Sequence, residues 1–538
     1  MRLPWLRNAL LLLPALVILV PVFGVLAAWL QWDAQSAGIL REMAGTVLGS
    51  YVLTSVQLCV AVAVGVALVG TACAAAVTLF DFPGRRTLEW ALLLPLAMPA
   101  YVVAYAYTDF LQFGGPLQVW IRGTFGLEGR VLPDVRSVAG AAWVFVFSLY
   151  PYVYLLARAA LSERATHLME AARLLGAPLA RRIRAVALPL ARPAVAAGVL
   201  LALMETLADF GVSSYFGIQT FSVGIYKAWL AMDNRVAAAQ LATTLLVVVA
   251  LLLMLEQRAQ RRLRFAAGRG AHAGARESQP AQLRGAAAVG AIALCAVPVL
   301  MGFVLPVAFM LRPLAADWSV LPWDRFLAWS WHSLRLGAVS AVLAVAVALL
   351  LAFSLRERRD ALTRGVVQLA GLGYAVPGTV IVVGLLVPLG WLQQAAPDIA
   401  TSFWVTGTIL GIVWAYLVRF MSVALQSVQS GYARIAPSLD DSARMLGTSG
   451  LPLLRRVHWP LLRRSAAAAG LLVFVDVMKE LPATMVLRPF NTDTLAVVAY
   501  QLARDERLGE AALPSLALVL VGLIPVALLS RTLRSGAR

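Results

Sequence analysis

Residues 170–190 read EAARLLGAPLARRIRAVALPL and residues 441–461 read DSARMLGTSGLPLLRRVHWPL, and the two align without a gap at an offset of 271 residues. Arg173 falls on Arg444, Gly176 on Gly447, Arg184 on Arg455, Val186 on Val457 and Pro189 on Pro460. Apolar runs long enough to cross a bilayer flank each copy. The identities concentrate in a basic loop, not in apolar stretches where composition alone produces chance matches. The loop is therefore under a shape requirement of its own, and a loop presented twice predicts a partner that binds twice.

The chain around these loops is built for lipid. Of its 538 residues, 61% are hydrophobic and 13% charged, with a mean hydropathy of +0.81. Twelve apolar runs are candidate spans, at roughly 9–30, 52–79, 88–110, 137–157, 193–216, 237–255, 286–311, 333–355, 366–392, 404–426, 466–487 and 511–530. The Gly- and Pro-containing runs at 88–110 and 366–392 have the least defined ends. Arg2 and Arg7 precede a first run too long for a signal-peptide core, which predicts a retained helix.

The net charge of +18 invites a nucleic-acid reading, but its distribution opposes one. With the N-terminus inside, the alternate loops and both ends hold 31 of the 45 basic residues. This is the positive-inside bias, which predicts both termini in the cytoplasm and no nucleic-acid partner. The polar stretch 256–285 separates two halves of six spans each. An even number of spans per half predicts an all-α membrane protein of twelve transmembrane helices in two parallel six-helix repeats. The expected divisions are a first helix and outer loop (1–50), a membrane domain (51–256), a linker (257–285), a seventh helix and outer loop (286–332), a second membrane domain (333–531) and a tail (532–538). The outer loops are too short to fold as domains of their own.

Within the first copy, Leu168, Ala171, Ala172 and Leu175 share one face of a short helix starting near Ser162. Gly176 is placed to adopt the left-handed conformation that ends a helix, and Pro178 keeps that helix from resuming. Pro189 is expected to break the following segment before the fifth span. Gly447, Pro452 and Pro460 repeat the plan. The predicted product is a helix, a sharp turn and a second helix, with small residues that permit close approach by another protein.

The pattern E-A-A, three residues, G, then a hydrophobic residue and L-P resembles the cytoplasmic loop of permease subunits of bacterial binding-protein-dependent ABC importers. By that resemblance Glu170, Ala171, Ala172, Gly176, Leu188 and Pro189 match the motif in the first half. Asp441, Ser442, Ala443, Gly447, Trp459 and Pro460 match it in the second, with Asp441, Ser442 and Trp459 departing from the pattern. The resemblance implies two fused permease domains, docking of two ATPase subunits on the two loops, and a periplasmic substrate-binding protein outside. The only lysines, Lys227 and Lys479, do not follow a phosphate-binding glycine loop, so no cofactor is expected in this chain and ATP is expected on the partner subunit.

Four acids lie within apolar runs at the same 271-residue offset: Glu205 with Asp476, and Asp209 with Glu480. Read as continuous helix, each pair is four residues apart and shares a face. Such acids normally face a bundle interior or an aqueous path, or pair with a cation, here Arg419, Lys479 or Arg488. Hard cations prefer oxygen, and the third span adds Tyr101, Tyr105, Tyr107 and Asp109 as candidates, although tyrosines near the end of a span commonly anchor it at the interface. The stretches METLADFGVSSYFGIQTFSVGIYKAW and KELPATMVLRPFNTDTLAV resemble ferric-iron permeases, with fused thiamine permeases the nearest competitor. An ion-gradient-driven transporter is the alternative of a different class. His167, His272, His332 and His458 are too scattered for a metal site and are expected to be solvated or at interfaces; Cys59, Cys73 and Cys295 are expected as small core residues. No nucleophile–base pairing supports catalysis.

Overall fold

A computed structural model describes residues 4–30, 34–162, 166–232, 234–267, 281–316, 318–319, 321–358, 360–371, 373, 376–398 and 400–535. Among these residues the regular structure is helical apart from one parallel two-residue bridge between Phe80–Asp81 and Ala281–Gln282. Among the described residues nine helices are long and apolar enough to cross a membrane, or ten if Arg85–Ala97 and Ala100–Phe125, bent by 91° at their break, form one span. These ten coincide with ten of the twelve predicted runs. The eleventh run is the helix Trp459–Lys479, whose Arg463, Arg464, Asp476 and Lys479 make it more charged than an ordinary span. The first run lies in the helix Pro4–Ala27, where the apolar stretch with described side chains is the shorter Leu16–Leu30.

The two Gly- and Pro-rich runs are broken helices. Pro99 caps Ala100–Leu111 and Pro377 caps Gly378–Ala395, each at the point where a missing N–H interrupts the preceding turn. The stretch expected as a linker is helical at its start, since Arg235–Ala267 is one helix. Residues 268–280, which include His272, lie outside the described residues.

Contacts divide the chain into two compact units, each drawing on both halves of the sequence. One contains residues 1–43, 224–246 and 322–498. In it Trp323–Glu357, Ile409–Tyr432 and Trp459–Lys479 pack on one another, while the N-terminal helix lies against Gly378–Ala395. Trp414 fixes that helix by donating its indole N–H to the Val17 carbonyl at 2.7 Å. The other unit contains residues 44–223, 247–321 and 499–538. Its corresponding trio is Leu48–Leu79, Val138–Ala160 and Leu188–Ala208, and Leu305–Ala316 packs on Ala100–Leu111 and Leu508–Ser535. There Phe110 stacks on Phe309 with ring centroids 3.9 Å apart.

Leu48–Leu79 shows how such helices choose their faces. Tyr51, Leu58, Val62, Val66, Cys73 and Val77 recur at three- and four-residue spacing and are buried. Leu53, Val56, Val60, Val64 and Leu68 are equally apolar and exposed. A soluble helix would place polar residues there; an outer face solvated by hydrocarbon does not need them.

Candidate functional site: twin loops and broken helices

The two motif loops fold alike. Thr166–Leu174 and Pro437–Met445 form the leading helices. Gly176 (φ +77°) and Gly447 (φ +78°) end them in the left-handed region, as the sequence predicts. The N–H of Gly176 donates to the Arg173 carbonyl at 3.0 Å and that of Ala177 to Ala172 at 3.0 Å; Gly447 and Thr448 repeat both bonds to Arg444 and Ala443 at 2.9 Å. This is the Schellman arrangement, which satisfies the last carbonyls of each helix. Each turn carries a pair of outward-facing large apolar residues, Leu174 and Leu175 in one and Met445 and Leu446 in the other, all at least 85% exposed.

The motif residues distribute around these turns. Ala171 is exposed and Ala172 half-buried, Asp441 and Ser442 are exposed, and Ala443 is half-buried. The side chains of Glu170, His167 and Leu168 lie outside the described residues. Asp441 pairs with Arg444 at 3.2 Å on the helix surface, and Ser442 Oγ donates to the Ser438 carbonyl. Leu188 and Trp459 are exposed at the start of the long helices that follow.

Pro189 and Pro460 do not break those helices, contrary to the sequence expectation. Leu179–Ala208 runs as one helix through Pro189. Immediately before each proline lies a π-helical segment, Ile183–Ala187 or Leu454–His458, whose wider turn lets Leu188 N–H reach Ile183 and Trp459 N–H reach Leu454. A proline in the turn after such a widening loses little, because the usual clash with the carbonyl four residues back is relieved. Each loop is thus joined without interruption to a long helix.

The second loop also has a buried polar fastening. Asp440 accepts from Arg356 Nε at 2.7 Å and from His458 Nε2 at 3.0 Å, while His458 Nδ1 faces the Tyr432 hydroxyl at 3.3 Å. Arg356 reaches the carbonyl of Ile435 as well, at 2.9 Å. His458 is fully buried, which corrects its expected placement at solvent or an interface. At the corresponding positions the first loop has Met169, Ala187 and Leu161, all buried and apolar. One loop is held by hydrogen-bonded charge and the other by packing.

Burial pushes the Asp440 carboxyl up, but hydrogen bonds from Arg356 and His458 outweigh it and leave the group below its ordinary value. A depressed folded value means that the stabilisation from Asp440 is complete above the unfolded pKa, about 3.9, and is lost as pH falls through the folded one. Wild type and Asp440→Asn should therefore differ in protease protection of residues 431–461 by a constant margin from neutral pH to about pH 4, and converge only below it. Convergence near neutrality would contradict this assignment.

The intramembrane acids depart from the prediction of one continuous face. Asp209 and Glu480 each end a helix, Leu188–Ala208 or Trp459–Lys479, with nearly identical backbone angles (φ −70°, ψ 131° and φ −70°, ψ 127°). Each then caps the next short helix. Asp209 Oδ1 accepts from the N–H groups of Val212 (3.0 Å) and Ser213 (3.2 Å). Glu480 accepts from Ala483 N–H (3.0 Å), Thr484 N–H (2.9 Å) and Thr484 Oγ1 (2.6 Å). Both Glu480 acceptors of the Thr484 hydroxyl, its carboxylate at 2.6 Å and its backbone carbonyl at 2.8 Å, can only accept, so the Thr484 proton goes to Glu480 and Tyr416 Oη, 2.6 Å from Thr484 Oγ1, donates in turn. Arg419 Nη1 completes the site 3.5 Å from Glu480. Glu205 and Asp476, one turn earlier, are half-buried within the long helices.

Tyr101, Tyr105 and Tyr107 are buried, not set as interface anchors. Tyr107 donates to the Met301 carbonyl at 2.7 Å, a structural contact between helices. Asp109 is half-buried with one carboxyl oxygen unpartnered. Of the other cations suggested as partners, Arg488 pairs with Asp493. His332 contacts the Asp493 carbonyl. No group of three His, Cys, Asp or Glu side chains is arranged to hold a metal among the described residues.

The profile of the binding-protein-dependent transport system inner membrane component family matches residues 67–265, the stretch containing the first loop and the Asp209 break. The Fe(3+)-transport system permease protein FbpB 2 of Haemophilus influenzae is 26% identical over 487 residues, 88% of each chain. The "Probable ABC transporter permease protein y4fN" of Sinorhizobium fredii is 25% identical over an alignment covering 99% of this chain and 95% of its own. The inner membrane ABC transporter permease protein YdcU of Escherichia coli is 33% identical over 162 residues, 28% of this chain and 51% of its own. Membrane-length apolar helices, a match over residues 67–265 to the inner membrane component of binding-protein-dependent transport systems, and likeness to permease proteins along nearly the whole length make the chain similar to the permease subunits of ABC importers.

Proposed function

We propose that this chain supplies both halves of one ferric-iron translocation pore in a bacterial inner membrane, loaded by a periplasmic binding protein and driven by two ATPase subunits docked on residues 160–190 and 431–461. The observation that carries the docking role is the pair of matching turns, each with two apolar side chains facing outward and each continuous with a long helix. A docked ATPase would cover those side chains, and its movement would pass along the uninterrupted helix to the break at Asp209 or Glu480. The iron reading is supported by similarity to an Fe(3+)-transport permease along 88% of the chain. The proposed pore has twelve spans in two parallel six-helix repeats, permease domains over 51–256 and 333–531, and both termini in the cytoplasm.

Reconstitution tests this directly. Proteoliposomes containing the chain, its ATPase and its binding protein should take up ferric iron only when all three and ATP are present. Uptake of thiamine or sulfate in place of iron would reassign the cargo; uptake driven by an ion gradient without the ATPase would remove the ABC mechanism.

A further inference from the structure

The two broken helices repeat each other in backbone and differ in charge. Glu480 is answered by Arg419 on Ile409–Tyr432. The position 271 residues earlier, on Val138–Ala160, is Ser148, a buried residue whose hydroxyl has no hydrogen-bond partner. Asp209, the twin of Glu480, keeps its two capping bonds but has no cation within ion-pair distance among the described residues. The charged group that acts on it is Glu205, a second acid. A carboxylate held in an apolar body with no counter-charge is costly, whereas a paired one is far less so.

Oxygen donors gather beside Asp209. Tyr105 is 1% exposed and its hydroxyl has no hydrogen-bond partner. Its ring lies 5.6 Å from that of Tyr101 and 4.7 Å from that of Tyr215, centroid to centroid. Tyr500 and Asp209 both lie close enough to act on the Tyr105 hydroxyl. Ser213, which caps onto Asp209 through its N–H, also places its buried hydroxyl beside that carboxylate. Arg136, which reaches the Tyr215 hydroxyl beside this cluster, already pairs with Glu506 at 3.4 Å. The Tyr105 hydroxyl is thus an oxygen that a ligand or a water can complete.

Resting on the ferric-iron reading above, we propose that Asp209 and the phenol oxygens around Tyr105 form a transit site for a hard, multiply charged cation. The cargo supplies there the positive charge that Arg419 supplies to Glu480. Carboxylate and phenol oxygens suit such an ion.

Three substitutions test the site in the full complex. Asp209→Asn removes the charge and keeps a capping oxygen of comparable quality, so the helix break should persist. Tyr105→Phe removes only the orphaned hydroxyl. Ser148→Arg imports the neutralising guanidinium from the twin position. All three should assemble with the ATPase and lose ferric uptake in proteoliposomes. Ferric citrate added to the purified wild-type chain should give a visible phenolate-to-iron(III) absorption band, absent from Asp209→Asn and Tyr105→Phe. Wild-type uptake or an unchanged band in Asp209→Asn overturns this inference and leaves the iron reading intact. No iron uptake and no band with the wild-type chain overturns both.

Discussion

Replacing both Gly176 and Gly447 with proline should leave a chain that inserts into the membrane and no longer retains its ATPase. Both residues sit near φ +78°, whereas proline is fixed near −65°, so the turn cannot form as observed. Proline also lacks the N–H that each glycine donates to the carbonyl three residues back. Among the described residues, chain neighbours aside, no atom lies within 4 Å of where a Cβ would stand at either position, so the effect is one of backbone conformation and not of crowding. Gly176→Ala should be milder, since alanine can occupy the left-handed region at a cost of about 1–2 kcal/mol. The graded comparison separates loss of turn geometry from any effect of bulk. Membrane fractionation followed by affinity co-purification reads both arms, and full ATPase recovery with the double proline variant would remove the docking role.

Arg419→Ala should have the largest effect on stability. Glu480 is 1% exposed at its side chain and Arg419 15%, so removing the cation leaves a buried carboxylate with hydrogen bonds but no counter-charge. Breaking a buried pair from one side costs about 3–5 kcal/mol, enough to consume much of the stability of an ordinary domain. Adding Glu480→Gln should recover part of the loss, because glutamine removes the charge while its single amide oxygen still accepts from one of the Ala483 and Thr484 N–H groups. Gly378 belongs to the same site: a Cβ there would stand 2.5 Å from Arg419 Nη1 and 2.7 Å from Glu480 Oε1. Gly378→Ala should therefore weaken the pair as well. Thermal unfolding in detergent distinguishes these cases; a double variant no more stable than Arg419→Ala would show that packing around Arg419, not charge, is what matters.

The loops were legible in the sequence because their signal is local. A left-handed glycine after a short amphipathic stretch, followed by proline, defines a helix end wherever it occurs, and here it occurs twice at one spacing. Ten of the twelve apolar runs were legible as membrane-length helices for the same reason; the other two fall on the shorter apolar stretch Leu16–Leu30 and on Trp459–Lys479, whose charges blur the run. The roles of Asp209 and Glu480 were missed although a signal was present. Pro482 lies in the first turn after Glu480, a common helix start, and Gly211 follows Asp209 at the same spacing. An acid inside an apolar run invites a reading as a lining charge, when its first task is to cap a helix that restarts. The fastening of the second loop could not be read at all, since Arg356 lies 84 residues from Asp440 and only the fold brings them together. The prolines at 189 and 460 misled because a π-helical turn, which leaves no pattern in the sequence, precedes each.

The unequal loops sharpen the functional expectation. Similar turns with different fastenings, apolar around Met169 and ionic around Asp440, predict two sockets of similar shape and different rigidity. The most direct test is the mass of the detergent-solubilised complex under native conditions. Two ATPase copies should be found on each wild-type chain, one when either Gly176 or Gly447 is replaced by proline, and none when both are. An unchanged complement of ATPase in the single and double variants would contradict the claim that the repeated loops are its docking sites.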